Sequence, residues 1–338
     1  MIDPATPPGR YAAPVSRRAL ITIAAAALLA LGAVLLRLLV GGPSLAWPDS
    51  DTVLELRATR ALAGALVGAA LALAGVKLQC LLRNPLASPD LLGLASGAGL
   101  GVMVAAYLAA QSGGSLDPGP SSGIAALVGS LLVLSLVYFL SQKRGLIDPV
   151  SLILVGVVLS IMCSAASMFI EHLLPDRGNT ARRWMLGAIR DDLSLSQLQT
   201  FATILALWLA VALAMSRAMD AASLGEDEAR SLGLRLGWLR AALFIASGVL
   251  CAGAVTLAGP IGFVGLICPH LVRLAAGPAH RPLIIAAVFA GAALVVGADT
   301  AVKALDLGAG RLPIGVMTSL IGGPLFILLL RGSVPREA

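Results

Sequence analysis

The chain is 338 residues long, 58% hydrophobic and only 12% charged. Soluble proteins are about half apolar and about a quarter charged, so a chain with a mean hydropathy of +0.92 cannot hide its apolar surface in water and reads as a polytopic membrane protein. The net charge of +6 calls for no nucleic acid partner, because loops on the cytoplasmic face of a membrane protein carry such an excess.

Residues 1–18 hold four prolines and end in Arg17-Arg18, the pattern of a disordered basic tail. Ala19 to about Val40 is then long enough to cross a bilayer, which takes roughly 20 residues. A cleavable signal peptide ending near Ser44-Leu45-Ala46 is the rival reading, but the apolar run is too long for one and contains Arg37. Further apolar runs lie near 54–80, 91–110, 122–141, 150–173, 197–216, 240–257, 258–273, 282–303 and 313–330, which makes ten crossings, the eighth short and glycine-rich. An even number puts both termini on one side. Arg17, Arg18, Arg83, Lys143, Arg144, Arg217 and Arg273 then fall together, which favours cytoplasmic termini. Loops are short, so residues 19–331 form one all-α transmembrane domain, followed by a tail at 332–338.

At the start of the second run, Arg57 and Arg60 stand three apart and share one helical face. They serve either as interfacial anchors or as a contact for another protein. Lys77 lies six residues before Arg83, about 9 Å along a helix, within snorkelling reach of the membrane edge. Arg83-Asn84-Pro85-Leu86 ends that helix, since Pro85 cannot continue it and Asn84 can cap it or bond free carbonyls. Asp148-Pro149 precedes the fifth run.

Between the sixth and seventh runs lies Met219–Leu234, where Gly225 and Gly233 divide the stretch into short helices. Glu226, Asp227 and Glu228 suit a helix N-terminus, while Leu224, Ala229 and Leu232 make a weak apolar stripe. By composition alone this is equally an amphipathic connector on the bilayer surface. Gly259, Pro260, Gly262 and Gly265 predict backbone packed close to other backbone. Pro269, His270 and Arg273 then bring that segment to an aqueous edge. Glu171 and Asp299 are the acids well within apolar runs, both near the outer ends, and are expected to pair with Lys303 and nearby termini rather than form a proton path.

Cys80, Cys163, Cys251 and Cys268 sit alone in apolar runs and read as small buried hydrophobes. His172, His270 and His280 are too scattered to show a metal site, and no cofactor is expected. A phosphate-binding loop needs Gly-Lys-Ser/Thr, yet Lys77, Lys143 and Lys303 are followed by Leu, Arg and Ala. The chain is therefore not expected to be an enzyme, and any ATP-driven work needs another polypeptide.

Four strings, Arg83–Gly93, Leu224–Gly233, Gly259–Arg273 and Leu312–Arg331, resemble the FecCD-type permease subunit of ABC importers for iron-siderophores, haem and cobalamin. The resemblance runs from about residue 50 to 331. It implies the permease fold of a type II ABC importer in the inner membrane, paired with a second copy or a paralogue. It also implies two ABC ATPase subunits as partners and a periplasmic or lipid-anchored substrate-binding protein outside. The coupling loop would be 219–238, with Leu224, Gly225, Glu226, Ala229, Arg230, Leu232 and Gly233 at the ATPase. Arg57, Arg60 and Lys303 would dock the binding protein, although the family often has Arg at the last position and Lys lacks its bidentate fork. Asn84 and Leu86 would narrow the cytoplasmic end of the path, with Asp148 and Pro149 as another part of that gate. Ferric siderophore is the first expected cargo, with haem and cobalamin next. The alternative is an ion-coupled secondary transporter, which would need intramembrane carboxylates or broken-helix ion sites near the midplane.

Overall fold

Thirty-two consecutive helical residues, Asp51–Leu82, make α2, about 48 Å long at 1.5 Å per residue. Ser50 starts it by accepting the Val53 N–H, and Arg83 ends it with a left-handed backbone (φ +48°). That turn sends the Asn84 N–H back to the Gln79 carbonyl at 3.1 Å, satisfying an end carbonyl that would otherwise be orphaned. The apolar window of α2 is 83% buried within the protein, against 11% for α1 (Arg17–Leu39), so α2 is interior and α1 peripheral.

The structure, a computed structural model, describes residues 16–41, 45–112, 120–143, 145–174, 187–190, 193–305 and 312–333. After α2 come a 3-10 turn (Pro89–Leu92), α3 (Leu94–Gln111), α4 (Pro120–Leu140) and a hairpin of β1 (Gln142–Lys143) and β2 (Leu146–Ile147). Then follow α5 (Pro149–Leu173), α6 (Leu195–Ala214), the short α7 (Ser216–Ala222) and α8 (Glu226–Ser231), α9 (Leu236–Ala258), α10 (Val264–Ala276), α11 (His280–Ala304) and α12 (Ile314–Ser333). Helices α1 to α6, α9 and α11 are long and apolar enough to cross a membrane, and α10 and Ile314–Phe326 of α12 are shorter apolar helices. The ten expected apolar runs thus all appear as helix, and the all-α reading holds apart from the small antiparallel hairpin.

Around α2 pack α1, α6, α9, α10 and α11, while α3, α4 and α5 form a second group joined to the first mainly through α9. Small residues set these distances. A Cβ on Gly68 would collide with the Gly291 carbonyl of α11, and one on Gly75 with the Gly265 carbonyl of α10. Without a hydrophobic drive between helices in lipid, such backbone approach is what holds membrane helices together. Of the close packing predicted around Gly259, Pro260, Gly262 and Gly265, the approach to α2 is found at Gly265, whereas a Cβ on Gly262 would meet only Ser319 and Asp90 at ordinary distance.

Four boundaries differ from the sequence reading. Arg17 and Arg18 already belong to α1, with Ser16 as its N-cap, whereas residues 1–15 of the expected tail lie outside the described residues. The eighth run breaks: α9 extends to Ala258, residues 259–263 are non-helical, and α10 begins only at Val264. At 13 residues α10 is about 20 Å long, too short for a hydrocarbon core of about 30 Å. At the other end, α12 reaches Ser333, into the expected tail, and 334–338 lie outside the described residues.

Gly68→Val should destabilise the protein by about 1–3 kcal/mol or more through overpacking, seen as a lower melting temperature in detergent or nanodiscs. Gly297→Ala, where an added Cβ meets nothing within 4 Å, should leave it unchanged. Equal effects would mean that the α2–α11 approach is not a constraint.

Candidate functional site

One end of the bundle carries α7 and α8, a pair of short helices separated by Gly225. The Ala229 N–H bonds the Gly225 carbonyl at 3.1 Å, and the Leu234 N–H returns to the Ala229 carbonyl at 3.1 Å over Gly233, which has φ +78°. Leu224, Ala229 and Leu232 do not share one face, as a stripe would require. Ala229 is fully buried, whereas Leu224 and Leu232 are 70% and 63% exposed. Ala229 seats the element on its own bundle, and the two leucines present apolar surface outward together with exposed Trp238.

Two side-chain ties hold this element. Asp220 of α7 accepts from the His280 backbone N–H at 2.8 Å and meets His280 Nδ1 at 2.7 Å, joining α7 to the first turn of α11. Burial pushes the Asp220 carboxyl up, but the His280 hydrogen bonds outweigh it and hold the group below the usual carboxylate range. Glu226 of α8 pairs with Arg240 of α9 and, at 3.6 Å, with Arg230. The Arg240 hydrogen bond keeps the Glu226 carboxyl low, so the tie is ionised at neutral pH. Arg240 also donates to the Ile147 carbonyl at 3.4 Å, so one guanidinium links α8 to the hairpin just before Asp148.

Asp148 is the N-cap of α5, accepting from the Ser151 N–H at 2.9 Å and from Lys143 Nζ at 3.0 Å, with Pro149 at the first helical position. The hydrogen bonds from Ser151, and then that from Lys143, lower its carboxyl to about 2. At the same end, Asn84 and Pro85 are exposed and Leu86 is half-buried. The Asn84 side chain accepts the Leu86 N–H at 2.9 Å instead of bonding a free carbonyl. The segment beyond then runs inward: Pro89 lies against Gly265 and Leu71, roughly 17 Å up α2 from Leu82.

On that inward turn Asp90 accepts from the Ser88 hydroxyl at 2.9 Å, and its carboxylate lies beside Gly262, just before the start of α10. Phe263 is the N-cap of α10 and has φ +68°, a left-handed conformation costly for a bulky residue. A carboxylate near a helix N-terminus suits the helix dipole. The two segments thus lie against each other, with Pro89 also packed on Gly265. The Asp90 side chain is otherwise exposed on the surface of the single chain.

The opposite end is organised by Asp299 of α11. Arg37 of α1 donates to it at 2.6 Å and Arg60 of α2 at 2.9 Å, with Arg37 and Asp299 each only 2% exposed. The sequence points Asp299 toward Lys303, one turn on; the structure pairs it with these two arginines. Arg57, one turn before Arg60, donates to the Leu38 and Ala46 carbonyls at 2.7 and 3.0 Å and so ties α2 to the end of α1. The three expected docking residues therefore lie at one end, with Arg57 and Arg60 engaged in contacts within the chain. A cavity of about 460 Å³ opens beside them, lined by Glu55, Arg60, Arg190 and Ser194. Lys77 does not reach the membrane edge: it is buried, donates to the Trp208 carbonyl at 3.2 Å and lies over the Trp208 ring.

A short apolar α10 entered through a broken segment, an inward 3-10 turn and a surface pair of short helices give the chain a distinctive architecture. Residues 20–332 match the FecCD transport family. The chain belongs to that family. It is 38% identical over 283 residues to the vitamin B12 import system permease protein BtuC of Klebsiella pneumoniae, covering 83% of each chain. It is 34% identical over 286 residues to the cobalamin import system permease protein BtuC of Halobacterium salinarum, covering 84% of this chain and 75% of that one. In structure it is similar to an inward-facing metal-chelate type ABC transporter, with a TM-score of 0.80 at 28% identity over 93% of this chain and 99% of that one. A chain of PsaBC from Streptococcus pneumoniae shares the fold more distantly, with a TM-score of 0.53 at 16% identity over 83% and 91%. The fold of a type II ABC importer permease, expected from the sequence, is the one observed.

For this FecCD-family chain, sequence reasoning missed the packing of Pro89 on Gly265, the Arg240 link and the partner of Arg37. A charge inside an apolar run needs a partner, so Arg37 carried a signal; its partner lies 262 residues away and was not readable. Asp299→Asn should cost about 3–5 kcal/mol, because it leaves two arginines uncompensated. Arg37→Met should cost clearly less, since Arg60 still neutralises Asp299. Chemical or thermal unfolding of both variants in the same lipid would show the order, and the reverse order would disprove the arrangement.

Proposed function

We propose that this chain is the membrane-spanning subunit of an ATP-driven importer that carries cobalamin inward, working as two copies around a shared path. The ranking that puts ferric siderophore first shifts, because relatives at 34% and 38% identity over more than four-fifths of this chain are cobalamin permeases by name. That observation carries the cargo assignment. The α7–α8 end is placed in the cytoplasm, in keeping with the basic residues gathered there, and both termini lie on that side.

On this reading the ATPase subunits seat against Leu224 and Leu232, the exposed apolar pair around buried Ala229. Gly225, Glu226, Arg230 and Gly233 shape the element between them. Closure of the ATPases pushes α7 and α8, and the push has two rigid outlets: Asp220–His280 into α11, and Glu226–Arg240 into α9 and the hairpin ahead of Asp148. The second outlet leads to the Asp148-Pro149 start of α5, which together with Asn84 and Leu86 would open and close the cytoplasmic end of the path. At the outer end, Arg57, Arg60 and Lys303 offer basic groups to acidic lobes of a binding protein. The affinity for cargo then resides in that protein, since a wide path lined by few charges binds weakly.

Proteoliposomes holding the permease, its ATPase and its binding protein should accumulate labelled cobalamin on ATP addition, and ferric siderophore at no more than background. The reverse preference would overturn the cargo assignment while leaving the family intact. Leu224→Glu or Leu232→Glu should cut uptake at least about tenfold by placing a charge in an apolar contact, with membrane insertion unchanged. Full uptake in both variants would remove the ATPase from this surface. With Cys80 replaced by Ala, Asn84→Cys or Leu86→Cys should cross-link between copies in one nucleotide state and not in the other; cross-linking independent of nucleotide would make this a static corner.

A further inference from the structure

A second cavity, of about 200 Å³, lies at the α7–α8 end between α2, α7, α10 and α11. Gln79, Arg83, Ser223, Arg273 and His280 line it. Two of these present buried polar atoms that nothing satisfies among the described residues: Arg273 Nε and His280 Nε2. Arg273 reaches only a neutral partner, its Nη2 donating to Gln79 Oε1 at 3.2 Å. His280 is 1% exposed, and its other ring nitrogen is already held by Asp220.

The charges around the cavity do not balance. Arg83 and Arg273 bring two positive charges, and Asp220 has one oxygen taken by the His280 backbone N–H and ring Nδ1. Glu226 senses Arg83 from a distance but is paired with Arg240 and Arg230. A partly buried guanidinium with no carboxylate is costly unless an anion completes it, and unsatisfied buried nitrogens each cost about 1–3 kcal/mol.

We propose that this cavity is a binding site for a phosphate group, supplied either as free inorganic phosphate or as the headgroup of an anionic phospholipid. Arg273 has Nε beside Nη2, a two-pronged edge that fits a tetrahedral oxyanion; Nε is buried and Nη2 holds Gln79, so a turn of the guanidinium away from Gln79 is what would bring that edge to the cavity. Arg83 adds charge from the α2 terminus, and His280 Nε2, buried in the cavity wall, would supply a third contact on a small ring shift. Hydrogen phosphate meets that nitrogen in either protonation state, having both P–O⁻ acceptors and a P–OH donor. Basic pockets between membrane helices at the cytoplasmic edge hold lipid headgroups by the same chemistry. Filling the site would brace α2, α10 and α11 beneath α7. The proposal depends on neither the transported cargo nor the docking of other subunits.

The test uses full-length permease in phosphatidylcholine nanodiscs at constant ionic strength. Sodium phosphate should raise the melting temperature saturably while sodium chloride does not, which supports free phosphate as the source. In nanodiscs that also contain phosphatidylglycerol, native mass spectrometry should retain that lipid if the headgroup is the source, and added phosphate should then give a smaller shift. Arg273→Gln should raise the half-saturating phosphate concentration, or lower lipid retention, at least about tenfold. Arg83→Asn, at an exposed site whose left-handed backbone Asn tolerates, should act in the same direction and guards against a folding defect in the first variant. The proposal fails if wild-type protein shows neither phosphate stabilisation nor retained phosphatidylglycerol, or if both variants bind like wild type. It also fails if stabilisation through Arg273 appears only when the ATPase is added, which would make the cavity a seat for a partner's carboxylate.

Discussion

The backbone-to-backbone approach of α2 to α10 and α11 is the constraint on which the other features depend. Helices in lipid gain little by burying apolar side chains against one another, so affinity between them comes from contact and from polar ties. Gly68 against Gly291 and Gly75 against Gly265 bring main chains so close that a single methyl would not fit. With α2 fixed in the interior, its two ends define where polar chemistry can sit. One end gathers Arg37, Arg60 and Asp299, and the α7–α8 end gathers Gln79, Arg83, Arg273 and His280.

Half-inserted segments exploit the space this leaves. The 3-10 turn at Pro89–Leu92 and the break at Gly259–Phe263 are irregular backbone at depth, tolerated only where protein or water satisfies it. Here the two irregular segments cover each other: Pro89 packs on Gly265, and the Asp90 carboxylate lies beside Gly262 just before the start of α10.

At the α7–α8 end, the distribution of burial divides the short helices. Ala229 faces in, Leu224 and Leu232 face out, and each short helix is tied to a different long one by a side-chain pair. Asp220 joins α7 to α11, and Glu226 joins α8 through Arg240 to both α9 and the hairpin before α5. These ties are short, so the element is held to its helices and not independent of them.

Ten apolar runs, the breaks at Gly225 and Gly233, the helix end at Pro85 and the glycine-rich segment at 259–265 were all legible in the sequence. Each follows from a local property: hydropathy over a bilayer's thickness, the conformational reach of glycine, or proline's missing N–H. Family membership was legible too, because its strings are contiguous. What only the tertiary structure decided are the pairings across the chain. Asp299 could have met Lys303 one turn away, yet it meets Arg37 and Arg60. Lys77 could have reached the membrane edge, yet it stays inside on Trp208. Leu224, Ala229 and Leu232 read as one stripe and divide between outside and inside. Composition specifies that a buried charge must find a partner; which partner it finds depends on which helices meet, and that is set by backbone approach over hundreds of residues of chain.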